Sequence, residues 1–192
     1  KALTAYDYSA VGWGATASSA WYDVITRDFV AGEFVWTGFD YMGEPTPSNG
    51  TGTGWVSGTN SPKNSFFGII DTAGLPKDNY YFYQSQWNDE VTTLHVLPAW
   101  NRDVLQNPNS VPVVVYTDAA SVKLTLTTAN GTVKDLGTKT FVEKTTPAGY
   151  KYQMTSASST NHRDMYFTWN VPFEAGTITA TAYDKAGKEM KK

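Results

Sequence analysis

The sequence contains no cysteine, which excludes disulfides, thiolate metal ligation and a cysteine nucleophile together, and leaves the compartment open. Charge is sparse as well. Charged residues make up 17% of the chain, the net charge is −3 and there is no basic run, so the clustered Lys and Arg that nucleic acid selects for are missing and no nucleic-acid partner is expected. No stretch approaches the roughly 18 apolar residues of a membrane-spanning helix. The opening KALTAYDYSA also lacks the apolar stretch that a signal peptide carries. No phosphate loop, dinucleotide fingerprint, Gly-x-Ser-x-Gly or zinc spacing occurs; Gly12-Trp13-Gly14 is too short to cradle a phosphate. No cofactor is expected. His95 and His162 have no ligand spacing to each other or to an acidic pair and read as structural histidines, so no metal is expected either.

What remains is apolar and aromatic. Of 192 residues 41% are apolar, enough for a packed core, and 15% are aromatic, with seven Trp and twelve Tyr. They are unevenly spread. Residues 1–100 hold six of the seven Trp and carry ten acidic against four basic residues; residues 101–192 carry eleven basic against eight acidic. Two regions of different character share the chain.

The first region reads as α/β. Trp21, Val24, Ile25 and Phe29 fall on one helical stripe within residues 18–32, with Ser18 or Ser19 able to cap the start and Gly32 suited to the end. Residues 33–39 are short, mostly apolar and rich in β-branched and aromatic side chains, the pattern of a strand buried on both faces in a parallel sheet. Residues 43–64 are rich in Gly, Pro, Ser, Thr and Asn, and a loop of that length is usually functional or disordered. A second helix is expected from Pro76 through Trp87, its run of Tyr80 to Tyr83 mainly a packing face.

The period changes near residue 92, where we place the domain boundary. Val122, Leu124 and Leu126 alternate with polar residues, and Asn130-Gly131 is a strong hairpin-turn signal. About seven short strands at turn-marked spacing predict an antiparallel, immunoglobulin-like β-sandwich over residues 93–192.

Chemistry concentrates at Trp36, Asp40, Tyr41 and Glu44, directly after the expected buried strand. In parallel α/β architectures ligands bind beyond the C-terminal ends of strands. An indole offers a flat apolar face to the C–H face of a sugar, and carboxylates accept hydrogen bonds from its hydroxyls. The group therefore suits a carbohydrate. Pattern alone slightly favours the plainer reading, a core Trp beside a turn-capping Asp.

The stretch GEFVWTGFDYMGEPTP (residues 32–47), with NSFFGIIDTAGLPKDNYYFYQSQW (residues 64–87), resembles the β-galactosidases of glycoside hydrolase family 2, most of all the large cell-surface enzymes of streptococci and related Gram-positive bacteria. LHVLPAWN (residues 94–101) is similar to the start of the β-sandwich that follows the family's barrel. The resemblance implies that residues 1–92 are the C-terminal end of a (β/α)₈ TIM barrel, with residues 33–40 as its eighth strand, and that residues 93–192 are the next sandwich. It implies a retaining mechanism with two glutamates about 5–5.5 Å apart. Both would lie upstream of Lys1, so the chain would supply no catalytic residue, and its other partner would be the remainder of the parent enzyme. It implies that Trp36 walls the galactose site, that Glu44 contacts galactose hydroxyls and that Asp40 supports the turn. The matching position for a sodium-binding Asn is Phe67, which again argues for no metal. A β-galactoside is the implied substrate and the cell surface or the medium the implied location. Competing readings are a glucuronide or mannoside substrate, or a non-catalytic carbohydrate-binding or spacer module with residues 93–186 as its working part.

Overall fold

A computed structural model describes residues 6–8, 10, 13–41, 65 and 67–192. The chain divides into two compact units, residues 1–80 and residues 81–192.

In the first unit helix α1 (Ala17–Thr26) begins where Thr16 supplies the capping oxygen to the Ser19 amide at 3.4 Å. The buried Asp7 carboxylate accepts from the Ser18 amide at 3.3 Å and from the Ser18 hydroxyl, so two donors of the first turn are satisfied from outside the helix. The helix is shorter than its apolar stripe predicts. The Thr26 hydroxyl donates back to the Tyr22 carbonyl at 2.6 Å, Arg27 is already extended, and Phe29, the last member of the stripe, is left largely exposed.

The strand expected over residues 33–39 is reduced to its end. Among the described residues of this unit, pairing is confined to a parallel bridge between Phe39 and Ile70 and an antiparallel one between Ile70 and Pro76. Hydrogen bonds from the Ile69 and Ile70 amides to the Thr37 and Gly38 carbonyls (3.0 and 2.9 Å), and from the Asp40 amide to the Ile70 carbonyl (2.8 Å), complete this narrow seam. A turn at residues 71–75 folds the chain back, with Gly74 at φ +85° and Asp71 accepting from the Ala73 and Leu75 amides. Phe34 is fully exposed; among the described residues, those that read as buried on both faces have no neighbouring strand to bury them.

The second unit is β-rich and antiparallel throughout. One sheet orders β1 (Leu94–Leu97), β2 (Val111–Thr117) and β7 (Phe167–Val171); another orders β4 (Val133–Thr140), β3 (Ser121–Thr128), β8 (Gly176–Tyr183) and β9 (Glu189–Lys191); β5 (Val142–Thr145) and β6 (Lys151–Met154) form a separate pair. In β3 every second residue is buried, as its sequence predicts. Val122 and Leu124 stand opposite Ala182 and Ala180 of β8 and share a core with Val113, Val115, Phe167 and Trp169. The Asn130-Gly131 turn joins β3 to β4, with Gly131 at φ +86°, where a side chain would be strained. Strand β2 is buried almost continuously. One of its faces belongs to the sandwich core through Val113 and Val115. Tyr116 instead meets Phe82 of helix α2 (Asp78–Trp87) edge-on at 5.7 Å, and both contact Tyr166. The Tyr80 to Tyr83 run thus does what packing predicts: Phe82 and Tyr83 are buried.

Candidate functional site

Residues 36–41 of the first unit carry the side chains that sequence reasoning singled out. Asp40 is the fixed point. Its residue is 7% exposed, and its carboxylate accepts from the Gly68 amide at 2.8 Å, from the Ser65 hydroxyl at 3.4 Å and from the Lys77 ammonium at 2.5 Å. A buried carboxylate needs such partners to remain ionised. The three donors come from segments 25 to 37 residues further along the chain, so Asp40 clips residues 36–41 to residues 65–70 and to the start of α2. The neighbouring backbone repeats the clip: the Tyr41 amide donates to the Ser65 hydroxyl at 3.0 Å, and the Ser65 amide donates to the Tyr41 carbonyl at 3.0 Å. Gly68 makes the approach possible, since a Cβ there would lie 2.2 Å from the Asp40 amide nitrogen.

Above this clip the side chains are aromatic. Trp36 is 67% exposed and stands edge-to-face with Tyr41, ring centroids 6.4 Å apart at 83°. Its peptide bond to Thr37 is cis. Tyr41 meets Phe67 at 5.8 Å and 71°, and Phe67 meets Trp13 at 5.3 Å and 77°. Such perpendicular pairs are the geometry that aromatic quadrupoles favour. A rigidly based, solvent-facing indole is chemically suited to lie against the apolar face of a sugar ring. Glu44, the third sequence-derived residue, lies outside the described residues.

The structure therefore brings Trp36, Asp40 and Tyr41 onto one pinned segment. Sequence reasoning missed Ser65, Lys77 and Trp13 as neighbours of this region. No spacing signals Ser65 or Lys77, because their roles arise from long-range contacts. Trp13 stands in a Gly-Trp-Gly triplet whose small neighbours leave an indole uncovered, a signal that could have been used. Glu33, at the start of the expected strand, has its carboxyl pushed above the ordinary range by burial, and one of its oxygens is buried without a hydrogen-bond partner among the described residues. In the second unit His95 stacks on Tyr81 at 3.9 Å and 9°, a packing role of the kind its apolar strand predicts. Among the described residues no group of three or more acidic or His side chains is arranged to hold a metal ion.

Comparison with known proteins adds an independent line. Residues 109–191 match a family described as a domain of unknown function, DUF4982. The chain is 46% identical over 100 residues to "Beta-galactosidase BoGH2A" of Bacteroides ovatus, covering 52% of this chain and 10% of that protein. It is 35% identical over 181 residues to "Putative beta-glucuronidase" of Formosa agariphila, covering 94% of this chain and 14% of that one. The crystal structure of a beta-glycosidase from Bacteroides vulgatus superposes on 96% of this chain and 18% of its own, with a TM-score of 0.65 and 28% identity. The chain is thus similar to segments of glycosidases, and it spans between a tenth and a fifth of the length of these three proteins.

Proposed function

We propose that this chain is part of a glycoside hydrolase family 2 enzyme, a retaining β-galactosidase acting on terminal β-galactosides, and that it contributes to the galactose site without supplying the catalytic glutamates. One observation carries the reading most directly: an indole left 67% exposed on a segment that a buried carboxylate, paired with a half-buried Lys77, holds in place. Exposing a large aromatic costs stability that burial would give, so it is informative where the backbone beneath is fixed. In this reading Trp36 walls the sugar and Glu44 accepts from galactose hydroxyls, while Asp40 supports the segment that carries Trp36, its oxygens already engaged by Gly68, Ser65 and Lys77.

Residues 1–92 are proposed as the end of a TIM barrel and residues 93–192 as the following sandwich. The parallel bridge of Phe39 with Ile70 and the exposed rings of Phe29, Phe34 and Phe39 support the barrel assignment: they are what a barrel strand presents away from its neighbours. The two catalytic glutamates are proposed to lie upstream of Lys1. The galactosidase choice rests on the resemblance of residues 32–47 and on the 46% identity to the Bacteroides ovatus protein. The narrower likeness to the streptococcal type, and the cell-surface location it implies, rests on that resemblance alone. A glucuronide is the second reading, favoured by the name of the relative that matches 94% of this chain.

The test is kinetic. In the protein that carries this segment, Trp36→Ala and Glu44→Gln are expected to lower kcat/KM for a nitrophenyl β-galactoside. For Glu44→Gln the loss is about 10- to 150-fold, because a hydrogen bond to a charged group is worth about 1.5–3 kcal/mol. Turnover of the glucuronide in preference to the galactoside would replace the first reading with the second. Parental rates in both variants would remove the sugar from this site.

A further inference from the structure

Trp36 is not the only uncovered indole in the first unit. Trp13 is 57% exposed and joins the same aromatic row: Trp13, Phe67, Tyr41 and Trp36 follow one another in steps of 5.3, 5.8 and 6.4 Å. The row is graded. Its two ends are exposed indoles, whereas the rings between them are smaller and more covered, Tyr41 at 38% and Phe67 half-buried. Each of the three contacts is close to perpendicular, so the edge of one ring meets the face of the next and the rings do not cover one another as a parallel stack would. The base of the row is also fixed. Tyr41 is tied to Ser65 through two hydrogen bonds, and Phe67 is followed by Gly68, whose amide is held by the buried Asp40 carboxylate.

Two separated indoles on a rigid base make two stacking positions. A single pyranose ring held against Trp36 leaves Trp13 uncovered, since two aromatic rings intervene. Among the described residues, Lys77 is engaged with Asp40. The described side chains between the indoles, Phe67 and Tyr41, are aromatic and suit a hydroxyl-rich ligand with apolar faces.

We propose that Trp13, backed by Phe67, is the stacking platform for the second sugar of the substrate, the leaving-group unit on the reducing side of the galactose that Trp36 holds. The inference rests on the galactoside reading of the Trp36 site. It makes Trp13 a residue that selects for saccharide leaving groups over small ones.

The experiment is ¹⁹F NMR of the intact protein labelled with 5-fluorotryptophan, the two resonances assigned by Trp13→Phe and Trp36→Phe. The probes are methyl β-thiogalactoside and the sulfur-linked analogue of lactose, neither of which is hydrolysed. The Trp36 resonance is expected to move with both probes and the Trp13 resonance with the disaccharide alone. A Trp36 resonance that moves while Trp13 stays fixed with the disaccharide overturns this proposal and leaves the galactose site standing. If Trp13 moves and Trp36 does not, the galactose site is misplaced and the assignment of Trp13 to the leaving-group unit falls with it. A Trp13 resonance that moves equally with both probes overturns the division into two positions. Kinetics supply the second arm: Trp13→Ala is expected to lower kcat/KM about tenfold for lactose and less than about twofold for methyl β-galactoside, with Trp13→Phe recovering most of the loss. Equal loss on both substrates would show a merely structural Trp13.

Discussion

The two units of this chain dispose of their aromatic residues in opposite ways. In residues 81–192, Phe82, Tyr116, Tyr166 and Phe167 are all buried to within 2% of completely, and they meet one another or their strand neighbours at close ring distances. In residues 1–80, Trp13, Phe29, Phe34, Trp36 and Phe39 are each more than half exposed. Composition alone does not separate these cases, because both regions are rich in the same ring types. The difference lies in how the backbone is satisfied. In the second unit the strands form continuous ladders, so every second side chain is delivered to one face and a core closes behind it. In the first unit, among the described residues, a few bridges and one ion pair to a buried carboxylate hold the backbone, and several of the rings above it remain exposed. The difference teaches that ring burial follows from ladder pairing and not from ring content.

The largest expected contrast is a pair of substitutions of the same kind. Phe167→Ala removes a ring that is wholly buried and stacked on Phe141 at 3.9 Å, and should destabilise the second unit by about 3–5 kcal/mol. Phe34→Ala removes a fully exposed ring, and should change the stability of the 192-residue chain by no more than about 0.5 kcal/mol. Denaturant midpoints of both variants check this. A large loss from Phe34→Ala would mean that the first unit has a core of its own around that ring.

A second measurement sharpens the line between the regions. The change of sequence period near residue 92 marks where strands begin, but Phe82 and Tyr83 of α2 are buried, and Phe82 contacts Tyr116 and Tyr166. A chain of residues 81–192 should therefore be more stable than one of residues 93–192, because it adds the burial of two large rings to the second unit. Equal unfolding free energies would make α2 an appendage of the second unit.

These contrasts bear on what the sequence could convey. Strand β3 was legible because Val122, Leu124 and Leu126 alternate strictly with polar residues, and the β3–β4 turn because Asn130-Gly131 has few other uses. Strand β4, by contrast, is exposed along most of its length, so it carries little apolar periodicity and is found only as the partner that the hairpin turn demands. The chain's first helix was legible in its existence and not in its end, since the Thr26 back-bond and the extended Arg27 leave no mark on the apolar stripe. At the site, Trp36 and Asp40 stood out as residue types beside a Gly-rich loop. The partners that hold Asp40, Ser65, Gly68 and Lys77, lie 25 to 37 residues away, a distance over which local pattern says nothing.

The ion pair at the base of the site offers a smaller test. Asp40→Asn keeps the shape and an oxygen for the Gly68 amide, but removes the charge facing Lys77. Breaking a fully buried pair costs about 3–5 kcal/mol. The Lys77 side chain is 32% exposed and can turn to water, so about 1–3 kcal/mol is expected. The loss should fall on the first unit and leave the unfolding of residues 81–192 unchanged. On the proposed galactosidase reading it should also lower kcat/KM for galactosides through a displaced Trp36. Unaltered activity in a variant with loosened packing would separate Asp40 from the sugar.

The smallest effects are those of pH on the second unit, where two carboxylates pull in opposite directions. Glu143 is held below its ordinary value of 4.5 by hydrogen bonds from Lys185 and Lys151. Its folded pKa is depressed, so its contribution is present above 4.5 and is lost as pH falls toward the folded value. Asp118 is shifted the other way. Burial raises it above 3.8, and the Thr93 amide, which donates to it at 2.6 Å, only partly offsets this. The folded state then holds the Asp118 proton more tightly than the unfolded chain does, so stability falls as pH rises through 3.8 toward the raised folded value, and the penalty is complete above it. Asp118→Asn leaves an oxygen for the Thr93 amide and removes the ionisation. Its unfolding free energy should therefore exceed that of the parent near neutral pH and converge with it below pH 3.8. Glu143→Gln should do the reverse, falling short of the parent near neutral pH and converging in acid. Stability curves from pH 2 to 8 on residues 81–192 would resolve the two. If Asp118→Asn weakened the fold at neutral pH, the Thr93 hydrogen bond to the carboxylate would outweigh the burial of its charge, and the ionised form of Asp118 would be the one that stabilises the second unit.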